Sequence, residues 1–397
     1  MNFPAVQSCS AIHKTRSKKH TAVDILAANS FPVRLCSFSA LDSFLNLPSL
    51  PYIMAETEAG IADLARVFEN LRFPGADIAD AAAEDADGQT WYFYCRDPEE
   101  INRNRPYVSY DMLSLTQEFQ SRRFWDAKGI YEQIRKLRKK EQADFPWWEG
   151  LHSENMARSI TDGAIILARY EAVAVPPSEF TGGFIPVLNP EAQRILLSSL
   201  MVSPRPDRGL EFLRAAGLLE KLWPELAALD NVDQAKEFHP EGNVWRHTLE
   251  TLRHRKEGSY DLRLSLSLLL HDIGKPLAES SGGRRFDGHA ELGAAASRRF
   301  LERLGFEPPF VDDVYFLVRN HMLPAALGRL PLMKTGSLMA SPLFPLLMEL
   351  YRCDESSSFK GLDAYYESAA VYRTYLRNTR NPYRSVDGKV PGRKARR

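Results

Sequence analysis

Apolar residues recur along the C-terminal half of the chain at the three- and four-residue steps that keep side chains on one helical face. Residues 243–256 carry Val244, His247, Thr248 and Thr251/Leu252 on one stripe. Leu262 to Leu270 is apolar almost throughout and reads as a buried helix running out at His271-Asp-Ile-Gly-Lys-Pro276. Gly274 is expected to end that helix in a left-handed conformation, and Pro276 to keep it from resuming. In residues 288–304 the expected N-cap is Asp287, with His289 in the first turn and Leu292, Ala296 and Phe300 beneath it. Residues 309–322 align Phe310, Val314, Leu317 and His321, and the run from Leu343 to Cys353 ends at Asp354. Upstream the period changes. Gln89 to Cys95 is aromatic and β-branched and reads as a strand, Phe31 to Ser37 as a shorter one, and Met156 to Tyr170 as a helix.

Polar groups on those apolar stripes are costly unless paired or metal-bound. The chain has nine histidines, and six fall between His239 and His321. A single histidine on an apolar face is ordinarily a hydrogen-bonded core residue. Several together, with an adjoining His271-Asp272 pair, point to a shared cation. Imidazole nitrogen and carboxylate oxygen suit manganese, iron, cobalt, nickel and zinc, and magnesium less well. His254, seven residues after His247, reads as a surface residue, and His239 as part of a loop near the site, because Pro240-Glu241-Gly242 follows it.

The ordered series His247, His271-Asp272, His289, His321, Asp354 resembles the HD superfamily of metal-dependent phosphohydrolases. Four phrases narrow the likeness: His239-Pro-Glu-Gly-Asn-Val-Trp-Arg-His247, His271-Asp-Ile-Gly-Lys-Pro276, Phe286-Asp-Gly-His289 and Asn320-His321. They are similar to the HD domain of bacterial CCA-adding tRNA nucleotidyltransferases and related poly(A) polymerases. The segments Asn189 to Leu200 and Gly209 to Leu226 resemble the helical neck of those enzymes. The resemblance implies a primary metal site of His247, His271, Asp272 and Asp354. It assigns His289 and His321 to a second metal or to phosphate, and turns Lys275 toward an anionic substrate. Asp272 and Lys275 are then the catalytic candidates. A divalent ion (manganese, nickel, cobalt, iron or magnesium) would polarise a phosphoryl oxygen and activate water.

The same family begins with a nucleotidyltransferase head carrying a Gly-Gly-x-x-Arg-Asp turn and an Asp-x-Asp pair. Ser37 to Asn46 falls where that turn belongs, without either glycine and with Leu41 in place of the arginine. Without glycine the backbone approaches a triphosphate poorly. In Pro51 to Thr57, where the aspartates are expected, only Glu56 is acidic. Asp85-Ala-Asp87-Gly88 has the right spacing but reads as a hairpin turn in an acidic stretch.

The expected architecture is an α+β head with a small mixed sheet, then an all-α neck and an all-α HD domain, mostly α overall. Its expected parts are a disordered tail (1–24), a degenerate head (25–150), the neck (151–235), the HD domain (236–377) and a basic tail (378–397). Near its end, Val386-Asp-Gly-Lys and Val390-Pro-Gly-Arg resemble the start of the family's next domain, cut short.

Composition bounds this reading without directing it. The chain has 397 residues, 44% hydrophobic and 26% charged, with 51 basic and 51 acidic side chains. Zero net charge gives no support to tight nonspecific nucleic-acid binding, although Arg135 to Lys140 and Lys389 to Arg397 are basic runs able to touch RNA phosphates. Four cysteines without Cys-x-x-Cys spacing fit a reduced cytoplasmic setting. No apolar stretch reaches membrane-spanning length. The leading expectation is therefore an HD phosphohydrolase acting on a phosphoester, either a nucleotide or a tRNA or RNA 3′ end, with no membrane partner. Nucleotide addition to RNA 3′ ends is the alternative, and a non-catalytic RNA- or partner-binding module with a structural metal the second.

Overall fold

Trp91, Tyr92, Phe93 and Tyr94 are buried in succession, so the strand that carries them must be covered on both faces. In the computed structural model that strand is interior to a six-stranded sheet. The structure describes residues 21–75, 78–95, 109–138, 147–148, 156–176, 187–233, 242–258, 260–280, 286–358 and 361–381. It divides into two compact units, residues 1–218 and 219–397. His239, the basic run beyond Arg138, and residues 1–20 and 382–397 of the expected tails lie outside the described residues. Residues 22–24, expected in a disordered tail, are instead helical with Ala22 and Val23 buried, and residues 378–379 belong to a helix.

The first unit is the α+β part. Its elements run α1 (Ala22–Ala28), β1 (Val33–Leu35), α2 (Ser37–Leu45), β2 (Tyr52–Thr57), α3 (Ile61–Val67), β3 (Ala81–Glu84), β4 (Thr90–Cys95), β5 (Thr116–Glu118), β6 (Phe124–Trp125), α4 (Tyr131–Arg138), α5 (Met156–Arg169), α6 (Pro190–Met201) and α7 (Pro206–Ala215). The sheet order is β3-β4-β2-β1-β5-β6, with β2 parallel to β4 and every other pair antiparallel. Ala22, Val23 and Leu26 of α1 and Leu64 of α3 join Val33, Ala55, Trp91 and Phe93 in one core. A capping box between Thr21 and Asp24 starts α1.

The segment from Ser37 to Asn46, expected to replace a phosphate-binding turn, is a helix. Asn46 closes it at φ 58°, a left-handed position asparagine tolerates. Asp42 on this helix accepts from Arg169 Nε at 2.6 Å and from the Tyr170 hydroxyl at 3.0 Å, and Arg169 also donates to the Pro48 carbonyl. Asp42 and Arg169 are both buried. Removing one member of such a pair strands the other charge, which costs about 3–5 kcal/mol. Arg169→Met is therefore expected to lower unfolding stability by about that amount, and Asp42→Leu/Arg169→Met by much less. Urea denaturation of the full chain reads the difference.

The second unit is all helical. It runs α8 (Leu219–Leu222), α9 (Pro224–Ala227), a 3-10 turn (Ala228–Asn231), α10 (Val244–Arg253), α11 (Leu262–Leu270), α12 (Lys275–Ser280), α13 (His289–Arg303), α14 (Pro308–Asn320), a second 3-10 turn (Pro324–Ala326), α15 (Leu332–Met339), α16 (Phe344–Ser356) and α17 (Asp363–Thr379). Every residue from Leu264 to Leu270 is buried. Helix α11 is thus the spine of this unit, packed by α10, α14 and α16. Among the described residues, no helix is long and apolar enough to cross a membrane.

Three local expectations are corrected. Gly274 is not left-handed, and helix resumes at once: α12 starts at Lys275 and holds Pro276 in its first turn, where a missing N–H costs nothing. The N-cap of α13 is Gly288 at φ 72°, not Asp287. Leu292 is 39% exposed and points away from the core formed by Ala296 and Phe300.

Candidate metal centre

The site is assembled from helix ends. His271 caps the C-terminus of α11 and His321 that of α14, while His289 opens α13. In each, Nδ1 bonds the carbonyl three residues earlier: His271 to Leu268 at 2.7 Å, His321 to Val318 at 2.7 Å, His289 to Phe286 at 2.8 Å. A carbonyl only accepts, so Nδ1 of all three carries the hydrogen and Nε2 keeps its lone pair. His247, in the middle of α10, arrives at the same tautomer by another route. Ser357 Oγ donates to the Asp354 carbonyl and so accepts from His247 Nδ1, at 3.2 Å.

Four imidazole lone pairs therefore converge. His289 Nε2 and His321 Nε2 lie 3.2 Å apart. His247 Nε2 is 3.0 Å from Asp354 Oδ1, and His271 Nε2 is 3.2 Å from Asp272 Oδ2. His289 Nε2 is 3.6 Å from Asp272 Oδ1. The buried His271 Nε2 has no hydrogen-bond partner among the described residues. Acceptors held face to face repel unless a cation lies among them. Ligand-capable atoms fall into two groups, His247, His271 and Asp354, and Asp272, His289 and His321, each with its atoms within 4.8 Å of one another. The first group includes three of the four residues expected at a primary site; Asp272 falls with His289 and His321. Among the described residues these are the only clusters of this kind.

The electrostatics suit ligands. Burial works to raise the Asp272 carboxyl, but His271, Lys275 and His247 outweigh it and hold the group well below the usual carboxylate range. Asp354 is likewise held low, burial being overcome by the neighbouring His247 and His271. Burial, then His271, brings His321 down to about 4, which keeps its lone pair available at neutral pH. Lys275 Nζ sits 2.7 Å from Asp272 Oδ2, its charge 5.3 Å over the Phe286 ring. Imidazoles oriented by carbonyls through Nδ1, with anionic oxygens between them, fit a divalent cation.

Two glycines make the convergence possible. A Cβ on Gly274 would stand 2.1 Å from the His289 carbonyl oxygen and 2.5 Å from the Gly293 nitrogen. That backbone contact brings the His271-Asp272 pair to the start of α13. A sequence reading assigns Gly274 to chain reversal, because close approach by a segment far along the chain leaves no local signal.

The head places its groups differently. Ser37 adopts φ 51°, the left-handed backbone of a glycine turn, with a buried hydroxyl that finds no partner among the described residues. Beside it Cys36 N donates to the Met54 carbonyl and Met54 N to Ser39 Oγ, so the stretch of β2 facing the start of α2 presents Tyr52 and Met54. A cavity there is lined by Phe38, Tyr52, Met54, Arg158, Asp162 and Leu196. Arg158 and Asp162 pair with each other at 3.5 Å and bond Tyr94 and Ser109. Glu56 lies toward the far end of β2, opposite Arg34 and 3.8 Å from its guanidinium. Glu58, two residues on, gives the head an acidic pair at the expected spacing; reading the segment only as far as Thr57 passes over it. Asp85 accepts from the Asp87 and Gln89 backbone and closes the β3–β4 hairpin, as its turn signal implied.

Residues 244–351 match the HD domain family. The chain is 34% identical over 166 residues to the Multifunctional CCA protein of Halorhodospira halophila, covering 42% of this chain and 40% of that one. It is 40% identical over 134 residues to the CC-adding tRNA nucleotidyltransferase of Thermus thermophilus, covering 32% and 30% respectively. Residues 244–351 are thus an HD domain, and part of the chain is similar to CCA-adding tRNA nucleotidyltransferases. The chain spans less than half the length of these two relatives. The Bacillus stearothermophilus CCA-adding enzyme in complex with CTP aligns with 90% of this chain and 81% of its own, at 15% identity and a TM-score of 0.47.

These relatives correct the leading expectation of a phosphohydrolase with doubtful nucleotidyl transfer. The second of them is named a CC-adding tRNA nucleotidyltransferase, whereas hydrolysis rests on the histidine series alone. The series specifies a metal-binding fold and leaves the reaction open. The two ligand-capable groups fit a divalent metal ion without specifying which one.

Proposed function

We propose that this protein works at the 3′ end of tRNA, adding nucleotides with the help of divalent metal. The observation that carries the reading is its sequence identity to a Multifunctional CCA protein and a CC-adding tRNA nucleotidyltransferase. The mixed sheet of the head, with α2 directly after β1, supports it as a scaffold for nucleotide binding. Glu56 and Glu58 are the carboxylates this head offers at the spacing that transfer metals need.

In the second unit, His247, His271 and Asp354 would hold one divalent ion, and Asp272, His289 and His321 would hold a second or share the first. Such an ion supplies fixed positive charge to which a phosphate oxygen can coordinate. Lys275 neutralises Asp272 and adds a second cation beside it.

The purified chain, given tRNA lacking its terminal CCA, magnesium and labelled CTP or ATP, is expected to incorporate label, and Glu56→Gln/Glu58→Gln to lose it. No incorporation with any tRNA overturns nucleotide addition. One observation favours a second reading, tRNA binding without transfer: Tyr52 and Met54 stand on β2 beside α2 where a carboxylate pair would meet the triphosphate. Binding of tRNA without incorporation selects it.

A further inference from the structure

Helix α17 packs through Tyr365, Ser368, Ala369 and Tyr372 onto the Pro324–Ala326 turn and α16; Ser368 Oγ donates to the Pro324 carbonyl at 2.7 Å, and the centre of the Tyr372 ring lies 4.5 Å from that of Phe344. A different face of the same helix is open to solvent. Tyr366, Ala370, Arg373, Arg377 and Arg380 are all exposed, and their spacing of four, three, four and three residues puts them in a single stripe. The three guanidinium groups span about 11 Å along the axis, on the scale of neighbouring phosphates in a nucleic-acid strand.

Several arginines elsewhere in the unit are paired, although the exposed Arg299 and Arg319 also meet no carboxylate among the described residues. Arg253, Arg263, Arg298, Arg303 and Arg352 each meet a carboxylate. Arg373, Arg377 and Arg380 meet none among the described residues, and the helix's own acids, Asp363 and Glu367, lie N-terminal to them. The helix dipole favours basic residues in the last turn. It does not account for Arg373, nearly two turns earlier. At the head of the stripe Tyr366 is 59% exposed, a ring on which a base can stack. The sequence that follows adds Arg384, Lys389, Arg393, Lys394, Arg396 and Arg397.

We infer that this stripe of α17 is an RNA-docking surface that grips the phosphate backbone of tRNA. The inference rests on the tRNA reading only for the class of polyanion. It needs neither nucleotide transfer nor an occupied metal centre, so its test can fail while that reading stands.

The test is binding of fluorescently labelled tRNA to the full chain across a salt series. Each duplex phosphate that the protein ceases to neutralise lowers the slope of log affinity against log salt by about 0.9. Arg373→Gln/Arg377→Gln/Arg380→Gln is expected to lower that slope by about two to three. Affinity at low salt should fall by roughly 10- to 100-fold across all RNA sequences. The melting temperature should stay unchanged, because the three side chains are at the surface. The triple Arg→Lys variant should keep the slope, since lysine also binds phosphate as a point charge. An unchanged slope and affinity in the Gln variant overturns the inference, as does a wild-type chain that binds no tRNA. Preferential, arginine-dependent binding to phosphatidylserine vesicles would overturn the assignment to RNA. Incorporation of label into tRNA by the Gln variant at wild-type affinity would leave the proposed function intact and remove the docking surface.

Discussion

Gly274→Ala should unfold or severely loosen the second unit. The added methyl would lie 2.1 Å from one backbone carbonyl oxygen and within 2.8 Å of the Gly293 nitrogen and Cα. None of these is the far end of a flexible side chain that could swing aside. Relief therefore requires α12 and α13 to separate, which moves Asp272 from His289 and exposes the buried ends of both helices. Overpacking at a rigid contact costs about 1–3 kcal/mol and sometimes more, and the loss of any bound metal adds to that. Gly293→Ala, on the opposing helix, meets its nearest atom at 3.2 Å and should be milder. Thermal melting of the two variants tests the ordering. Equal melting temperatures for wild type and Gly274→Ala would show that the contact is not required.

Removal of one imidazole gives the second large effect. His271→Ala is expected to abolish retention of divalent metal at the centre, because its Nε2 lies against Asp272 and Asp354 at 3.2 and 3.9 Å and can join either ligand group. Metal bound only to the folded state stabilises it by about 4 kcal/mol at a thousandfold excess over the dissociation constant. The wild-type chain should therefore melt at a lower temperature after chelation and recover when manganese or nickel is added. His271→Ala should melt at the same temperature in both conditions. A mutant that still responds to chelator like wild type would place the metal elsewhere. His254→Ala, at the end of the helix that carries His247 but partly exposed and turned toward Glu250, should behave as wild type.

How much of this is legible in the sequence depends on range. The three- and four-residue period locates α10, α11, α13, α14 and α16, and the aromatic run locates β4, because both patterns are written within one element. The histidines can be gathered as a group since each rides such a stripe. Their division into two triads cannot be read, because it depends on how helix ends meet across the unit. Gly274 misleads for the same reason: its requirement comes from α13, fifteen or more residues away. In the head, the sequence indicates what is missing from the start of α2. It does not indicate that Ser37 keeps a left-handed backbone, or that Tyr52 and Met54 stand beside it. Function is the least legible level. One histidine series serves many reactions, and only similarity to nucleotide-adding relatives corrects the choice of hydrolysis.

The central claim is that His247, His271, Asp272, His289, His321 and Asp354 form a site for divalent metal. Element analysis of the wild-type chain, purified without chelator and dialysed against metal-free buffer, tests it most directly. One or two equivalents of a divalent transition metal or magnesium per chain, absent from His271→Ala, is the predicted result. A wild-type chain that carries none, and takes up none from manganese, nickel, cobalt, iron or magnesium solutions, would contradict it.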